Sequence, residues 1–401
     1  MMLSASRSAP PVRALADENI PFARAALETL GHMSSVDGRA LRPADVAAAD
    51  VLWVRSVTPV DPALLAEARR LQFVGSATAG TDHVDRAFLQ ERGIAFAHAP
   101  GSNASSVADY VVAALLSVAA RRAEPLRSRT AAVVGCGAVG SRVARRLGAL
   151  GMSVLKNDPP RADEAERAGR DHDFRPLAEV LAAADLVTLH VPLESEGPHA
   201  THSLIGEEAL AAMPEGAWLV NTSRGAVVEG AALERALERD HVGAAVLDVW
   251  PGEPTPDPAL VRQADVATPH IAGYAFDGKV RGTEMLYRAL CEHLDAPPRW
   301  RAEDVLAAEG DAFHLDAPDS SLGEAAWLDA LARQMYDVRA DDRRLRAALE
   351  GPAEGRAAAF TALRRDYPRR RAFSRYRIAA GAVPPARRTA VADGLGVDVA
   401  P

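Results

Sequence analysis

The 401-residue chain is short of lysine. Of its 46 basic residues only Lys156 and Lys279 are lysines. A Schiff-base or lysine-nucleophile mechanism therefore has two candidates at most. Cysteine is equally scarce. Cys136 and Cys291 cannot build a disulfide framework and have no metal-site spacing, which fits a reducing cytoplasm. A basic excess is missing too. The net charge is -8 with both signs mixed, which argues against a nucleic-acid partner. Nor is there a long apolar run. Tyr110 to Ala120 spans 11 residues before Arg121-Arg122, where a membrane span needs about 18 or more, so no membrane partner is expected. The N-terminus lacks the apolar core of a signal peptide, and residues 1–11 read as a disordered extension.

What is present is ordinary for a globular protein: 48% hydrophobic and 25% charged residues, in a length that predicts two or three domains. Short apolar runs such as VLWVRS, LQFVGSAT and IAFAHAPG alternate with helical patterns. From residue 107 onward the punctuation sharpens, with strands TAAVV, SVLKN, DLVTLHV, GAWLVN, GAAVLDV and ADVATP. Strands alternating with helices predict an α/β fold with parallel sheets. Ligands bind such sheets at the strands' C-terminal ends, where the polar residues of this chain collect.

Gly135-Cys136-Gly137-Ala138-Val139-Gly140 is G-x-G-x-x-G between a predicted strand and a predicted helix. Asp158 lies 18 residues beyond its last glycine, at the end of the next strand. Gly135 permits the tight turn, Gly137 lets a pyrophosphate approach the backbone, and Gly140 lets helix and strand pack closely. The N–H groups near Val139 face the phosphates. Asp158 is placed to accept hydrogen bonds from a ribose, and its charge would repel a 2′-phosphate, so NAD is favoured over NADP. Lys156, two residues upstream on the same strand face, works against that preference.

Three strand ends carry further polar groups: Asn221-Thr222-Ser223-Arg224-Gly225, Asp248-Val249-Trp250 leading to Glu253-Pro254, and Thr268-Pro269-His270. Oxidising a secondary alcohol needs a base for the hydroxyl proton, a role that suits histidine. The imidazolium needs a carboxylate partner. A 2-hydroxy acid needs an arginine to grip its carboxylate and polarise its 2-oxygen. His270, Glu253 and Arg224 fit these roles. A lone histidine after a strand is more often structural, but three such groups at the ends of a nucleotide-binding sheet reverse that reading. No metal is required, since Arg224 supplies the electrophile.

These motifs together resemble the D-2-hydroxyacid dehydrogenase family over about residues 12–294. The resemblance implies two Rossmann-like lobes around a cleft: a discontinuous substrate lobe (12–106 and 275–295) and an inserted NAD lobe (107–274). It also implies that Arg224, Glu253 and His270 are catalytic. Further runs, among them Val54-Arg55-Ser56, Thr78-Ala79-Gly80-Thr81-Asp82-His83, Asn157-Asp158-Pro159-Pro160 and Tyr336-Asp337-Val338-Arg339, resemble one branch of the family that oxidises a phosphorylated 2-hydroxy acid. That resemblance assigns Ser56, Thr78 and Tyr274 to the substrate. It adds Thr222, Ser223, Asp248, Gly273 and backbone near Val191 to the cofactor contacts. Asn157, Ser102 and Val191 depart from the branch's pattern, but none removes a group needed for hydride or proton transfer.

Residues 296–378 resemble the branch's small α+β dimerisation domain, so a homodimer is expected. Residues 379–401 are small, polar or proline-rich and read as a loose tail. The basic run from Arg364 to Arg371 reads as a solvated or interface face. Two other functions remain open: another D-2-hydroxyacid dehydrogenase of phosphoglycerate or glycerate type, and a non-catalytic NAD-sensing interaction protein.

Overall fold

The computed structural model describes residues 11–308 and 312–401. The expected disordered extension lies, but for Pro11, outside the described residues. The chain divides into two compact units. The first holds the described residues through Asn103 and those of the segment that begins at Phe276. The second holds Ala104–Ala275 and Ala312–Pro401.

In the first unit, β1 (Val12–Asp17), β2 (Gly31–Val36), β3 (Val51–Val54), β4 (Phe73–Ser76) and β5 (Ala95–His98) form a parallel sheet in the order β2-β1-β3-β4-β5. Alternate side chains feed two cores. Ala14, Ala16, Val51, Trp53 and Phe73 enter one; Leu15, Leu52, Val54 and Val74 enter the other. A strand covered on both faces has no room for polar residues, which is why Val51–Val54 is continuously apolar. Helix Phe276–His293 covers the first face through Val280, Leu286, Tyr287 and Leu290. Trp300 and Leu306 follow it into that core, and the Arg299 N–H donates to the Tyr287 hydroxyl (2.8 Å). Residues 296–308 therefore pack with this sheet rather than with the C-terminal region to which they were assigned from the sequence.

In the second unit, β6 (Thr130–Val134), β7 (Ser153–Asn157), β8 (Leu186–Leu189), β9 (Ala217–Asn221), β10 (Val242–Leu247) and β11 (Val266–Ala267) form a parallel sheet in the order β11-β10-β9-β8-β6-β7. The strand order reverses between β6 and β8, the switch point at which such sheets bind ligands. Helix Ala104–Arg122 covers one face. It is long and apolar enough to cross a membrane, but nearly all of it is buried in this unit's core.

The C-terminal region adds helices Glu324–Met335, Val338–Leu349 and Ala353–Arg365, with a small parallel sheet of β12 (Phe313–His314), β13 (Tyr376–Ala379) and β14 (Asp398–Ala400). Its Trp327, Leu331, Phe373 and Ile378 share one core with Val111 and Leu115 of the long helix. Polar ties reinforce that contact. Asp109, buried on the long helix, pairs with Arg146 (2.6 Å) and accepts the Phe373 N–H (3.0 Å). Arg339 donates to Ser117 (2.9 Å).

The loose tail expected at 379–401 is not what the chain forms. β14 pairs with β13, and Val383, Ala390, Val391, Leu395 and Val397 are buried. Arg146 donates to the Leu395 carbonyl (3.0 Å). The small residues that look like a loop allow close approach: a Cβ on Gly394 would lie 2.8 Å from Leu150 Cδ2.

Candidate active site

The glycine turn follows β6 as expected. Gly135 has φ 85°, and a Cβ there would sit 2.8 Å from the His190 backbone. A Cβ on Gly140 would collide with the Gly135 carbonyl at 1.9 Å. A Cβ on Gly137 would meet nothing within 4 Å, so the turn is open at the one glycine expected to face a pyrophosphate. The turn thus fits a dinucleotide on geometry as well as pattern.

Asp158 ends β7 and caps helix Pro159–Arg167, accepting the Arg161 N–H (3.2 Å) and, from the turn, the Cys136 N–H (2.7 Å). A carboxylate offers about four lone-pair sites, so acceptor capacity is left for a ribose. Lys156 is committed to Asp173 (2.8 Å), which draws its charge away from Asp158. Asn157 is buried and donates to the Arg175 carbonyl (2.8 Å), a structural use for the departing residue. Asp158→Ser, which keeps a capping oxygen, is expected to raise the NADP-to-NAD ratio of kcat/KM by roughly 10²-fold, the scale of a lost charged hydrogen bond plus relieved repulsion. Steady-state assays with both cofactors check it.

Beyond β8, burial pushes the His190 imidazole down to about 3, so this ring stays neutral. It touches the Thr188 hydroxyl (3.0 Å) and the Thr222 hydroxyl (3.3 Å), beside Val191. His190 was not singled out from the sequence. Its only signal there is its place at a strand end.

After β9, Asn221 organises the next loop. Its Oδ1 accepts from the Ser223 N–H (3.0 Å) and hydroxyl (2.8 Å), and its Nδ2 donates to the Arg224 carbonyl (2.9 Å). Gly225 is required here, because a Cβ would lie 2.0 Å from the Trp250 carbonyl. That contact brings the Arg224 loop against the loop after β10. Arg224 Nη1 donates to the Ser223 carbonyl (2.8 Å), and its side chain is half-buried.

The loops after β10 and β11 meet at His270. Its Nδ1 lies 2.8 Å from Glu253 Oε2, while Glu253 Oε1 accepts the Trp250 N–H (2.9 Å). Burial pushes the Glu253 carboxyl up, but the His270 charge, the bond to its ring and the Trp250 N–H outweigh this and hold it below the ordinary value. Glu253 is then a carboxylate that can only accept. In its neutral form the ring would donate from Nδ1 to this carboxylate and leave Nε2 to take a proton.

His270 occupies the left-handed region at φ 56°, fixed by its N–H donating to the Asp248 carbonyl (2.7 Å). Left-handed backbone at a non-glycine residue persists only where its surroundings over-determine it. Those surroundings include a two-sided clamp. Asp248, fully buried, accepts the N–H groups of Ile271 and Ala272 (both 2.8 Å) and the Thr268 hydroxyl (2.6 Å). Tyr110 in turn donates to Thr268 (2.6 Å). Burial raises the Asp248 carboxyl, and these donors and His270 pull against that rise. From the other side, Arg370 Nη2 donates to the carbonyls of the same two residues, Ile271 (3.1 Å) and Ala272 (2.5 Å).

Arg370 itself is only 6% exposed and lies over the Tyr336 ring at 4.4 Å. Asp341 accepts the Tyr336 and Tyr367 hydroxyls (2.8 and 2.7 Å) beside it. The basic run expected to be solvated or an interface is thus partly internal. Arg370→Met is expected to cost about 1–3 kcal/mol, because the Ala272 carbonyl loses its donor and the Ile271 carbonyl keeps only the Tyr274 N–H. A lowered denaturation midpoint checks it.

Tyr274 lies four residues beyond His270, and its hydroxyl accepts from Arg364 Nε (3.2 Å). Arg224, Glu253, His270 and Tyr274 all belong to the second unit. Ser56 and Thr78 belong to the first. Ser56 is exposed just after β3. Thr78 ends a chain in which the Ser76 hydroxyl donates to Thr78 (2.7 Å) and Thr78 donates to the Gly80 carbonyl (2.9 Å). The His83 Nε2 lies 2.9 Å from the Ser76 hydroxyl. Ser76 and His83, like Arg364 and Arg370, were not identified as site residues from the sequence.

The chain is similar to known proteins over most of its length. The NAD binding domain of the D-isomer specific 2-hydroxyacid dehydrogenases matches residues 104–272, and a domain of unknown function matches residues 318–392. D-lactate dehydrogenase from Aquifex aeolicus, solved with NAD and lactic acid, is 26% identical. Its TM-score is 0.58, over 71% of this chain and 95% of its own. The chain belongs to the D-isomer specific 2-hydroxyacid dehydrogenase family: it is an oxidoreductase, and its cofactor is NAD. Within that family it is 56% identical to the erythronate-4-phosphate dehydrogenase of Salinibacter ruber, over 95% of this chain and 97% of the relative. It is 46% identical to the Azotobacter vinelandii enzyme of the same name, over 92% and 94%.

Proposed function

We propose that the protein oxidises 4-phospho-D-erythronate at C2 with NAD, giving (R)-3-hydroxy-2-oxo-4-phosphooxybutanoate, a step of pyridoxal 5′-phosphate biosynthesis. The observation that carries this reading is the His270–Glu253 pair, 2.8 Å apart at the end of a dinucleotide-binding sheet. Relatives matching nearly the whole chain bear the corresponding name.

Gly135, Gly137, Val139, Gly140, Asp158, Val191, Thr222, Ser223, Asp248 and Gly273 would hold the cofactor. Bound there, NAD would supply the acceptor for the C2 hydride. His270 Nε2 takes the proton of the C2 hydroxyl as the C2–H bond breaks and the carbonyl forms. Glu253 keeps the ring in the tautomer that can do this and stabilises the imidazolium. Arg224 grips the C1 carboxylate and polarises the 2-oxygen, where negative charge grows. Tyr274, with Ser56 and Thr78 of the first unit, is assigned to substrate contact. A homodimer through the C-terminal region and a cytoplasmic location belong to the same proposal.

A substrate panel tests it, with an acceptor to regenerate the cofactor. The kcat/KM for 4-phospho-D-erythronate is expected to exceed those for D-glycerate, 3-phospho-D-glycerate and D-lactate by roughly 10²-fold or more. Preference for another of these acids would replace the substrate assignment. Bound NADH without turnover of any would favour a sensing role.

A further inference from the structure

The reaction chemistry uses the strand-end loops of one sheet, but the domain of unknown function also reaches the site. Helix Ala353–Arg365 ends beside the loop that follows β11. Its last two residues diverge. Arg365 pairs with Asp366 (2.8 Å) on an exposed surface. Arg364 turns the other way, places its guanidinium 5.9 Å from the Tyr274 ring centre and donates to the Tyr274 hydroxyl (3.2 Å). Its charge is felt at Glu253.

A cation at a helix C-terminus has an ordinary explanation in the macrodipole. That explanation serves Arg365, but Arg364 donates to a tyrosine hydroxyl rather than to the last helical carbonyls. No carboxylate among the described residues lies within ion-pair distance of Arg364. Its one hydrogen bond comes from Nε, so the two terminal nitrogens keep their donors. A planar fork with open donors matches a phosphate.

We propose that Arg364 binds the 4-phosphate of the substrate, with Tyr274 holding the guanidinium in place. The inference rests on the proposed function and deepens it. With His270 at the C2 hydroxyl and Arg224 at the C1 carboxylate, the phosphate must extend away from Arg224. A second cation near Glu253 and Tyr274 serves that end of the molecule. The C-terminal region then makes a phosphate-selective site out of a sheet that by itself handles the hydroxy-acid end. It delivers Arg370 to clamp the His270 loop and Arg364 to read the substrate.

The test compares 4-phospho-D-erythronate with D-erythronate, which lacks only the phosphate, in the full-length enzyme and in Arg364→Gln and Arg364→Lys. In R364Q the ratio of the two kcat/KM values is expected to fall about 10²-fold, the scale of a lost hydrogen bond to a charged group. The fall should lie mainly in KM, with R364K recovering part of it. An equal loss on both substrates, or an unchanged ratio, overturns the assignment. If the wild type oxidises neither compound, the reading of the substrate fails. Arg364 is then judged by titrating the NADH-bound enzyme with inorganic phosphate and following nicotinamide fluorescence. Binding weakened by R364Q upholds the anion site, and unchanged or absent binding rejects it.

Discussion

Replacing His270 by asparagine is expected to lower kcat by roughly 10³- to 10⁴-fold, the upper range for loss of a general base, while NADH still binds. Asparagine is the informative substitution because His270 has φ 56°. Asparagine tolerates left-handed backbone, whereas a β-branched residue there would confound chemistry with strain. The Asp248 carboxylate and the Arg370 guanidinium hold the peptide groups at Ile271 and Ala272 and do not touch the ring. The loop, and the cofactor contacts near Gly273, should therefore survive the change. The pH profile adds a second reading. Glu253 is held below the ordinary carboxylate value, so it stays charged as the medium becomes mildly acidic. Loss of kcat/KM through protonation of Glu253 should therefore set in only below the ordinary carboxylate range. Residual activity within tenfold of wild type, with NADH binding intact, would remove His270 from the role of base.

Arg224→Gln should reduce kcat/KM by about 10³-fold or more. Loss of a single preorganised donor to a developing oxyanion typically costs 10²–10³, and here the same side chain also binds the substrate carboxylate. Glutamine keeps a planar donor and removes the charge. Arg224→Lys keeps the charge and removes the fork, and should fall between the two. The loop should hold its shape in both variants, because Asn221 fixes it through backbone groups and Ser223. Gly225 packs against the Trp250 backbone independently of the Arg224 side chain. If R224Q raised KM alone, Arg224 would bind the carboxylate without assisting the transfer.

Features governed by short-range pattern were legible in the sequence. The glycine turn, Asp158 at the end of β7 and the polar strand ends of the second unit are local. A strand that is buried on both faces must be continuously apolar, and a turn near a phosphate must shed its side chains. The residues that were missed act across long separations. Arg370 reaches the carbonyls of Ile271 and Ala272 from nearly a hundred positions away, and nothing in Tyr367-Pro368-Arg369-Arg370-Arg371 distinguishes an internal guanidinium from a solvated one.

The abundance of arginine was similarly opaque. Beyond Arg224, Arg364 and Arg370, the arginines supply structural ties. Arg346, for example, donates to the carbonyls of Val261 (2.6 Å) and Ala264 (2.7 Å), joining the C-terminal helices to helix Pro258–Gln263 and its C-cap. A guanidinium with five donors can satisfy several carbonyls at once, which a lysine does less well. The tail from 379 to 401 was misread for a related reason. Small residues look like a loop locally, and only the facing surface around Leu150 and Arg146 shows that they are packed.

The most direct test of the central claim follows the hydrogen on C2. Enzyme with NAD is mixed with 4-phospho-D-erythronate deuterated at C2, and the nicotinamide and sugar-acid products are analysed by mass spectrometry. Deuterium on the recovered nicotinamide, with a 2-oxo acid as the other product, is the expected result. A product formed with the deuterium released to water and the NAD unchanged would contradict hydride transfer at this site.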